Sequence, residues 1–254
     1  MQGKEPELNS NEIARYARHI VLKGVGAPGQ KKLKMARVLV VGAGGLGSPV
    51  IAYLSAAGVG HLSIVDDDKV DISNLQRQIV HATGDLGVDK SKSAAAFATN
   101  LNPDIHVQGT VARFDLSNGT EMIKDHDIVV DGSDRFSSRA EIAHLCEQNK
   151  TTLVSGAVSM FDGQVSVFAP HLRDENRQPF PRFSCLYPQT PDENDLPACE
   201  VNGILGATTG VIGTLMAMEV IKLITGVGRP LLGRLLLYDG RDAKFTELTY
   251  SSKN

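Results

Sequence analysis

The chain has 254 residues, 42% of them hydrophobic, enough to bury a full core as one large domain or two small ones. Its net charge of -3 and the lack of any basic run argue against nucleic acid and against a membrane surface as partners. Three cysteines, Cys146, Cys185 and Cys199, form an odd set in no paired spacing, so neither a disulfide framework nor a zinc site is implied.

The start, Met1-Gln2-Gly3-Lys4-Glu5-Pro6-Glu7, is polar and lacks the apolar core of a secretory signal, so cytoplasm is the expectation. Asn9-Ser10-Asn11 offers a cap for a helix from Glu12 to Leu22, with Ile13, Tyr16 and Ile20 on one face. From spacing alone, Arg15 and Arg18 read as a solvated helix face. Gly24 to Gly29, with Pro28, reads as a loop.

The apolar run Arg37-Val38-Leu39-Val40-Val41 then meets Gly42-Ala43-Gly44-Gly45-Leu46-Gly47 and an alanine-rich helical stretch: strand, glycine turn, helix. Gly42 permits the tight turn, Gly44 lets the backbone approach a phosphate, and Gly47 lets helix and strand pack. A second strand, His61 to Val65, ends in Asp66, an acidic side chain 19 positions after Gly47 and placed to bond a ribose. The glycine pattern alone also fits dehydrogenases, methyltransferases and turns that bind nothing. A more specific signal is the string Asp66-Asp67-Asp68-Lys69-Val70-Asp71-Ile72-Ser73-Asn74-Leu75-Gln76-Arg77-Gln78, then Gly87-Val88-Asp89-Lys90. Asn74, Gln76, Arg77 and Lys90 place amide donors and cations beside the turn, which suits a triphosphate whose charge grows during transfer.

After Lys90 an alanine-rich helix to about Asn100 is closed by Asn102-Pro103, and Asp104 to Val111 alternates like a strand. A fourth strand, Ile128-Val129-Val130, ends in Asp131-Gly132-Ser133-Asp134, so Asp134 faces the same crevice as the glycine turn. There it can cap the helix from Arg135 to Lys150, carrying Cys146 as a packing residue, and also serve as a Mg²⁺ ligand, a hard oxygen for a hard cation. Thr152 to Val158 and Gln164 to Phe168 are strands joined by a turn at Phe161-Asp162-Gly163, and the pattern changes from strand–helix repeats to a hairpin. The stretch from His171 to Pro197 is a long loop without periodicity. Gly206 to Thr225 is long and apolar, but Glu219, Lys222 and internal glycines favour a core or interface helix over a membrane span, with Gly206, Ala207, Gly210 and Gly213 fitting a dimer seam. Arg234 to Tyr238, Asp239-Gly240 and Ala243 to Tyr250 close the chain as a hairpin.

From about Glu12 to about Tyr250 these motifs resemble the ubiquitin-activating-enzyme-like adenylyltransferases, the ThiF/MoeB/HesA family, and Gly203 to Tyr250 looks most like the molybdopterin branch. The resemblance implies a single domain over 1–254: N-terminal helices in 1–35, a nucleotide-binding half in 36–150, and a carrier-binding half in 151–254 with a crossover loop at 171–199. The implied fold is α/β, a Rossmann-like half with parallel strands continued by an antiparallel half in one mixed sheet. It also implies an ATP site formed by Gly42, Gly44, Gly45, Gly47, Asp66, Ser73, Asn74, Leu75, Gln76, Arg77, Lys90, Asp134 and Arg135, with Mg²⁺ on Asp134. Arg135 stands where the family usually has asparagine. Arg18, last in the Arg-Tyr-x-Arg motif, would reach the phosphates of the other subunit, so the resemblance implies a homodimer.

The implied reaction is ATP-dependent adenylation of the C-terminal glycine of a small ubiquitin-like sulfur-carrier protein ending in Gly-Gly, with release of pyrophosphate. The carrier's tail would thread beneath the crossover loop, and a sulfurtransferase would act as a further partner. Arg77, Lys90, Asp134 and Arg18 in trans would be the catalytic set. The matching cysteine in related enzymes makes Cys199 a candidate nucleophile; the opposing reading is a thiol without chemistry. Arg182 stands where many members have the first cysteine of a zinc-binding pair, and the Tyr250-Ser251-Ser252-Lys253-Asn254 end shows no second pair, so no structural zinc is expected. Alternatives are the same reaction on a thiamin-pathway carrier, a non-catalytic scaffold, or an NAD-dependent oxidoreductase, which would leave Asn74 to Lys90 and Asp134 without a task.

Overall fold

The structure, a computed structural model, describes residues 7–188 and 203–252. Its centre is one eight-stranded sheet in the order β3-β2-β1-β4-β5-β6-β7-β8. The first five strands are β1 (Arg37–Val41), β2 (His61–Val65), β3 (His106–Thr110), β4 (Ile128–Asp131) and β5 (Thr152–Ser159), and every pairing among them is parallel. β6 (Asp162–Phe168), β7 (Arg234–Asp239) and β8 (Lys244–Thr249) extend it antiparallel. This is the mixed sheet, parallel half then antiparallel half, expected from the strand–helix repeats giving way to hairpins.

Helices cover both faces, and the strand period of two divides the core between them. Val38 and Val40 of β1 point to one cluster with Leu62 and Ile64 of β2, while Leu39 and Val41 point to the other with Val129 and Ile142. The first face is covered by α3 (Gly26–Met35), α4 (Gly47–Ala57), α5 (Lys90–Leu101) and a 20-residue helix, Gly206–Thr225. The second is covered by α6 (Gly119–Ile123), α7 (Phe136–Gln148) and the short α8 (Phe183–Leu186). Cys146 packs there, 2% exposed, and burial pushes its thiol pKa far up, so it is an inert core residue.

The N-terminal segment differs from a single helix. Tyr16 breaks it into α1 (Ser10–Arg15) and α2 (Ala17–Ile20), and Asn9 caps the first in a capping box with Glu12. Ile13 is 50% exposed while Glu12 is buried and paired with Lys34 at 2.8 Å, so the anticipated apolar face does not form. Tyr16 alone keeps its inward place, its hydroxyl accepting from Asn102 Nδ2 at 2.8 Å. The loop expected over Gly24 to Gly29 is shorter, because α3 begins at Gly26. Pro28 sits in the first turn, where an N–H is unpaired in any case.

Two further boundaries move. The β5–β6 connection is Met160–Phe161, with Met160 at φ 49, and Asp162 and Gly163 already pair with Ser159 and Val158. The strand pairing thus runs two residues further than the Asp-Gly dipeptide suggested. The N-cap of α7 is Arg135, without a side-chain capping bond, so Asp134 is not the cap.

The 20-residue helix, numbered α9, has the length and apolarity of a membrane span but lies against α3, α4, β5 and β6 as a core helix. Its Glu219 accepts from Leu231 N at 2.8 Å and pairs with Lys222. Side chains at Gly206 and Gly213 would collide with Gln76 and with Leu46 and Pro49 of the same chain, so the close approach expected at a dimer seam is used within the subunit at both positions.

Candidate nucleotide site

Strand order reverses between β1 and β4, and an open α/β sheet gathers ligands beyond the carboxyl ends of the strands at such a point. A cleft of about 330 Å³ lies there, lined by the glycine turn, Asp66 to Asp68, Arg77, Gln78, Lys90, residues 112 to 114, and residues 132 to 135. Of the site residues expected from sequence, the cleft brings together Gly42, Gly44, Gly45, Asp66, Arg77, Lys90, Asp134 and Arg135. Gly47, Ser73, Asn74, Leu75 and Gln76 adjoin it without lining it. Ser73 bonds Asp71, and Gln76 Nε2 reaches Ile204 O at 3.5 Å. Arg18 is exposed on α2 and does not line its own chain's cleft. Cys199 lies outside the described residues.

The three motif glycines have different reasons to be glycine. Gly42 has φ 94, and a Cβ there would stand 2.9 Å from Gly132 O. At Gly47 a Cβ would drive into the carbonyl of Gly42. Both are demanded by the fold. Gly44 has no such constraint: its φ is ordinary, and a Cβ would meet only Gln78 Nε2 at 3.8 Å, a normal contact. The open side of Gly44 faces the cleft, as a turn on which a phosphate lies requires. Gly44→Ala is therefore expected to leave the melting temperature unchanged while weakening nucleotide binding by about tenfold or more, about 1.4 kcal/mol; unchanged affinity in calorimetry would contradict a phosphate at this turn.

The charges are held in place by their neighbours. Asp66 accepts from Ala43 N at 2.7 Å and from Asp68 N at 2.9 Å, which ties the glycine turn to the end of β2. Burial nevertheless raises its pKa, outweighing these bonds. Lys90, its side chain 8% exposed, pairs through Nζ with Asp68 at 2.8 Å and so is presented at the cleft wall. Arg77 is anchored by one hydrogen bond to Ser73 O at 3.1 Å.

Asp131 and Asp134 divide the D-x-x-D motif by burial. Asp131 is fully buried; its Oδ1 accepts from Ser133 N and Ser133 Oγ, its Oδ2 accepts from Ser155 Oγ, and Arg139 Nε lies 3.5 Å from Oδ2. Arg139 also donates to Ser133 O at 3.2 Å. This network fixes the turn, and Asp134 stands exposed at its rim, with no side-chain hydrogen bond or ion pair found among the described residues. An exposed carboxylate on a braced turn is suited to take a hard cation.

Three residues of this site were not read from sequence. Arg139 carries no motif, and Gln78, though it closes the string from Asp66, takes no role from it. His81, whose Nε2 donates to Ala43 O at 3.0 Å, supports the glycine turn from beneath, and burial lowers its pKa toward the neutral form. A lone histidine in a loop gives no signal, since its partner is 38 residues away.

Known proteins bear on this site. The family model described as the ThiF family matches residues 16–254. The SAMP-activating enzyme E1 of Haloferax volcanii is 44% identical over 243 residues, covering 96% of this chain and 87% of that protein. A sulfur carrier protein adenylyltransferase of Thermus thermophilus is 43% identical, covering 94% of this chain and 87% of that protein. The adenylyltransferase and sulfurtransferase MOCS3 of Culex quinquefasciatus is 42% identical over 97% of this chain, which spans 55% of that relative's length. Among solved structures, E. coli MccB with ATP superposes with a TM-score of 0.81 at 22% identity, covering 96% of this chain and 73% of that one, a likeness of fold.

Proposed function

Because the chain belongs to the ThiF family, we propose that it is an adenylyltransferase that uses ATP to activate the C-terminal glycine carboxylate of a small ubiquitin-like sulfur-carrier protein. The observation that carries this reading is the cleft itself: a glycine turn left open at Gly44 beside Arg77, Lys90 and Asp134. A nicotinamide site needs no such cations.

A carboxylate is already ionised at neutral pH, so the attacking group requires no general base. Its oxygen forms a bond to the α-phosphorus as the bond to the β-phosphate oxygen breaks; an acyl-adenylate forms and pyrophosphate leaves. The chain's work is positioning and charge neutralisation. The glycine turn and the start of α4 seat the phosphates, and Asp66 holds the ribose. Arg77, Lys90 and Arg18 of a second copy meet the charge growing on the leaving group. Asp134 is the residue to hold Mg²⁺, which when bound supplies further positive charge at the phosphates. Ser73 to Gln76 and Arg135 complete the nucleotide's surroundings.

The carrier is proposed to be of the molybdopterin-synthase type, engaged by the 151–254 half with its Gly-Gly tail under the 171–199 segment, the enzyme acting as a cytoplasmic homodimer. Cys199 is retained as a candidate thiol for a later step with a sulfurtransferase. The donor set supports a fold without structural zinc: Arg182 pairs with Glu147 at 3.1 Å, and Cys185 on α8 supplies one thiol where four ligands are needed. Competition between purified molybdopterin-type and thiamin-type carriers, with ATP and Mg²⁺ and with adenylated product read by mass spectrometry, is expected to favour the first. Equal or reversed yields would overturn that assignment.

A further inference from the structure

Gln78 is a polar residue of the cleft to which the proposed adenylation gives no task. It follows Arg77 in the turn after the 3-10 helix Ile72–Asn74, where its backbone N–H donates to Asn74 O at 3.0 Å. That turn directs the side chain inward: Gln78 is 4% exposed and yet lines the cleft. Its Oε1 is sealed from solvent with no hydrogen-bond partner. Its Nε2 lies beside Gly44, 3.8 Å from where a Cβ on that glycine would stand. No hydrogen bond from this side chain is found among the described residues.

The sealed Oε1 has given up its bonds to water and gained none in return, while Nε2 lies on the cleft side beside Gly44 with its hydrogens not given to any described residue. His81 cannot supply a partner, since both its ring nitrogens are committed, to Ala43 O and to Ser93. An acceptor for Nε2–H belongs where Gly44 leaves room. We infer that Gln78 is a further substrate-contacting residue, its Nε2–H donating to a phosphate oxygen of the nucleotide lying on the Gly44 turn. This inference rests on the nucleotide reading of the cleft. A neutral donor suits the position: a cation against the reacting phosphate would also pair with the incoming carboxylate, whereas an amide stabilises the phosphate oxygens without holding the nucleophile back.

The test uses Gln78→Met, which keeps length and volume but removes the amide, and Gln78→Glu, which turns a carboxylate toward the phosphates. Each is compared with wild type for melting temperature, for affinity toward a non-hydrolysable ATP analogue, and for carrier-dependent ATP–pyrophosphate exchange. Removing an unpartnered buried polar group is expected to hold or raise the melting temperature of Gln78→Met, by about 2–4 °C. The same variant is expected to lose about tenfold or more in analogue affinity and exchange rate, and Gln78→Glu to lose more. A Met variant that binds and exchanges like wild type overturns the assignment and leaves the proposed reaction standing, and one that fails to fold overturns it by making the amide structural. A wild type that binds the analogue without exchange overturns the reaction, while weaker binding by the variant still upholds the contact. A wild type that binds no nucleotide overturns both.

Discussion

Asp134→Ala is expected to abolish carrier adenylation, with a fall of at least about 10²–10³-fold in rate, roughly 3 kcal/mol or more of transition-state stabilisation. The fold is expected not to notice. Asp134 is exposed, does not cap α7, and lies beyond the buried Asp131, Ser133, Ser155 and Arg139 network that shapes the turn. A substitution of this kind is worth within about 0.5 kcal/mol of stability. The contrast with its motif partner is informative. Asp131→Ala removes a carboxylate at the centre of that buried network and leaves Arg139 unpaired, so it is expected to unfold the turn and lower the melting temperature. Activity and melting curves on the two variants separate a metal-holding from a bracing carboxylate; wild-type turnover by Asp134→Ala would remove the proposed Mg²⁺ role.

The second large effect is expected at Arg18. Its exposed place on α2, away from its own chain's cleft, gives the bare residue no local task. If it serves the phosphates of a second copy, Arg18→Ala loses about 10³-fold, the scale of an arginine supplied in trans. The decisive readout is mixing. Subunits carrying Arg18→Ala and Asp134→Ala, each inactive alone, form mixed dimers in which one site has both lesions and the other has neither. Half of a random mixture is mixed, so activity is expected to return to about one quarter of wild type. No recovery after verified subunit exchange would rule out Arg18 acting in trans.

Much of this fold was legible because its signals are local. Arg37 to Val41, the glycine turn and α4 form a contiguous unit whose strand and helix periods can be read from residues in sequence. The change to antiparallel pairing showed in the short spacing between Thr152 and Phe168. What was not legible depends on residues far apart in sequence. Tyr16 breaks the first helix where its hydroxyl meets Asn102, 86 positions later, and Glu12 turns inward to meet Lys34. The β5–β6 turn escaped because Met160, with its positive φ, is not a residue that announces a turn, whereas Asp162-Gly163 does and yet pairs as strand.

The site divides in the same way. Residues proposed to meet the nucleotide that stand in a contiguous motif, Gly42, Gly44, Gly45 and Arg77, could be read from the sequence, and the cleft gathers them with Asp66, Lys90, Asp134 and Arg135. Residues that act through burial could not. Gln78 closes the string that begins at Asp66, yet the string gives it no role of its own, and its place at the cleft with Oε1 enclosed and without a partner appears only in the fold. Likewise, Arg139 and His81 matter through Asp131 and Ala43, contacts that the fold alone creates.

The most direct test of the central claim is ATP–pyrophosphate exchange with Mg²⁺, with and without a carrier ending in Gly-Gly. Exchange that appears only with the carrier, and vanishes when its terminal glycine is removed, is the predicted result. An enzyme that binds ATP yet shows no exchange with any carrier would contradict the adenylation mechanism and leave a scaffold that has kept its charges.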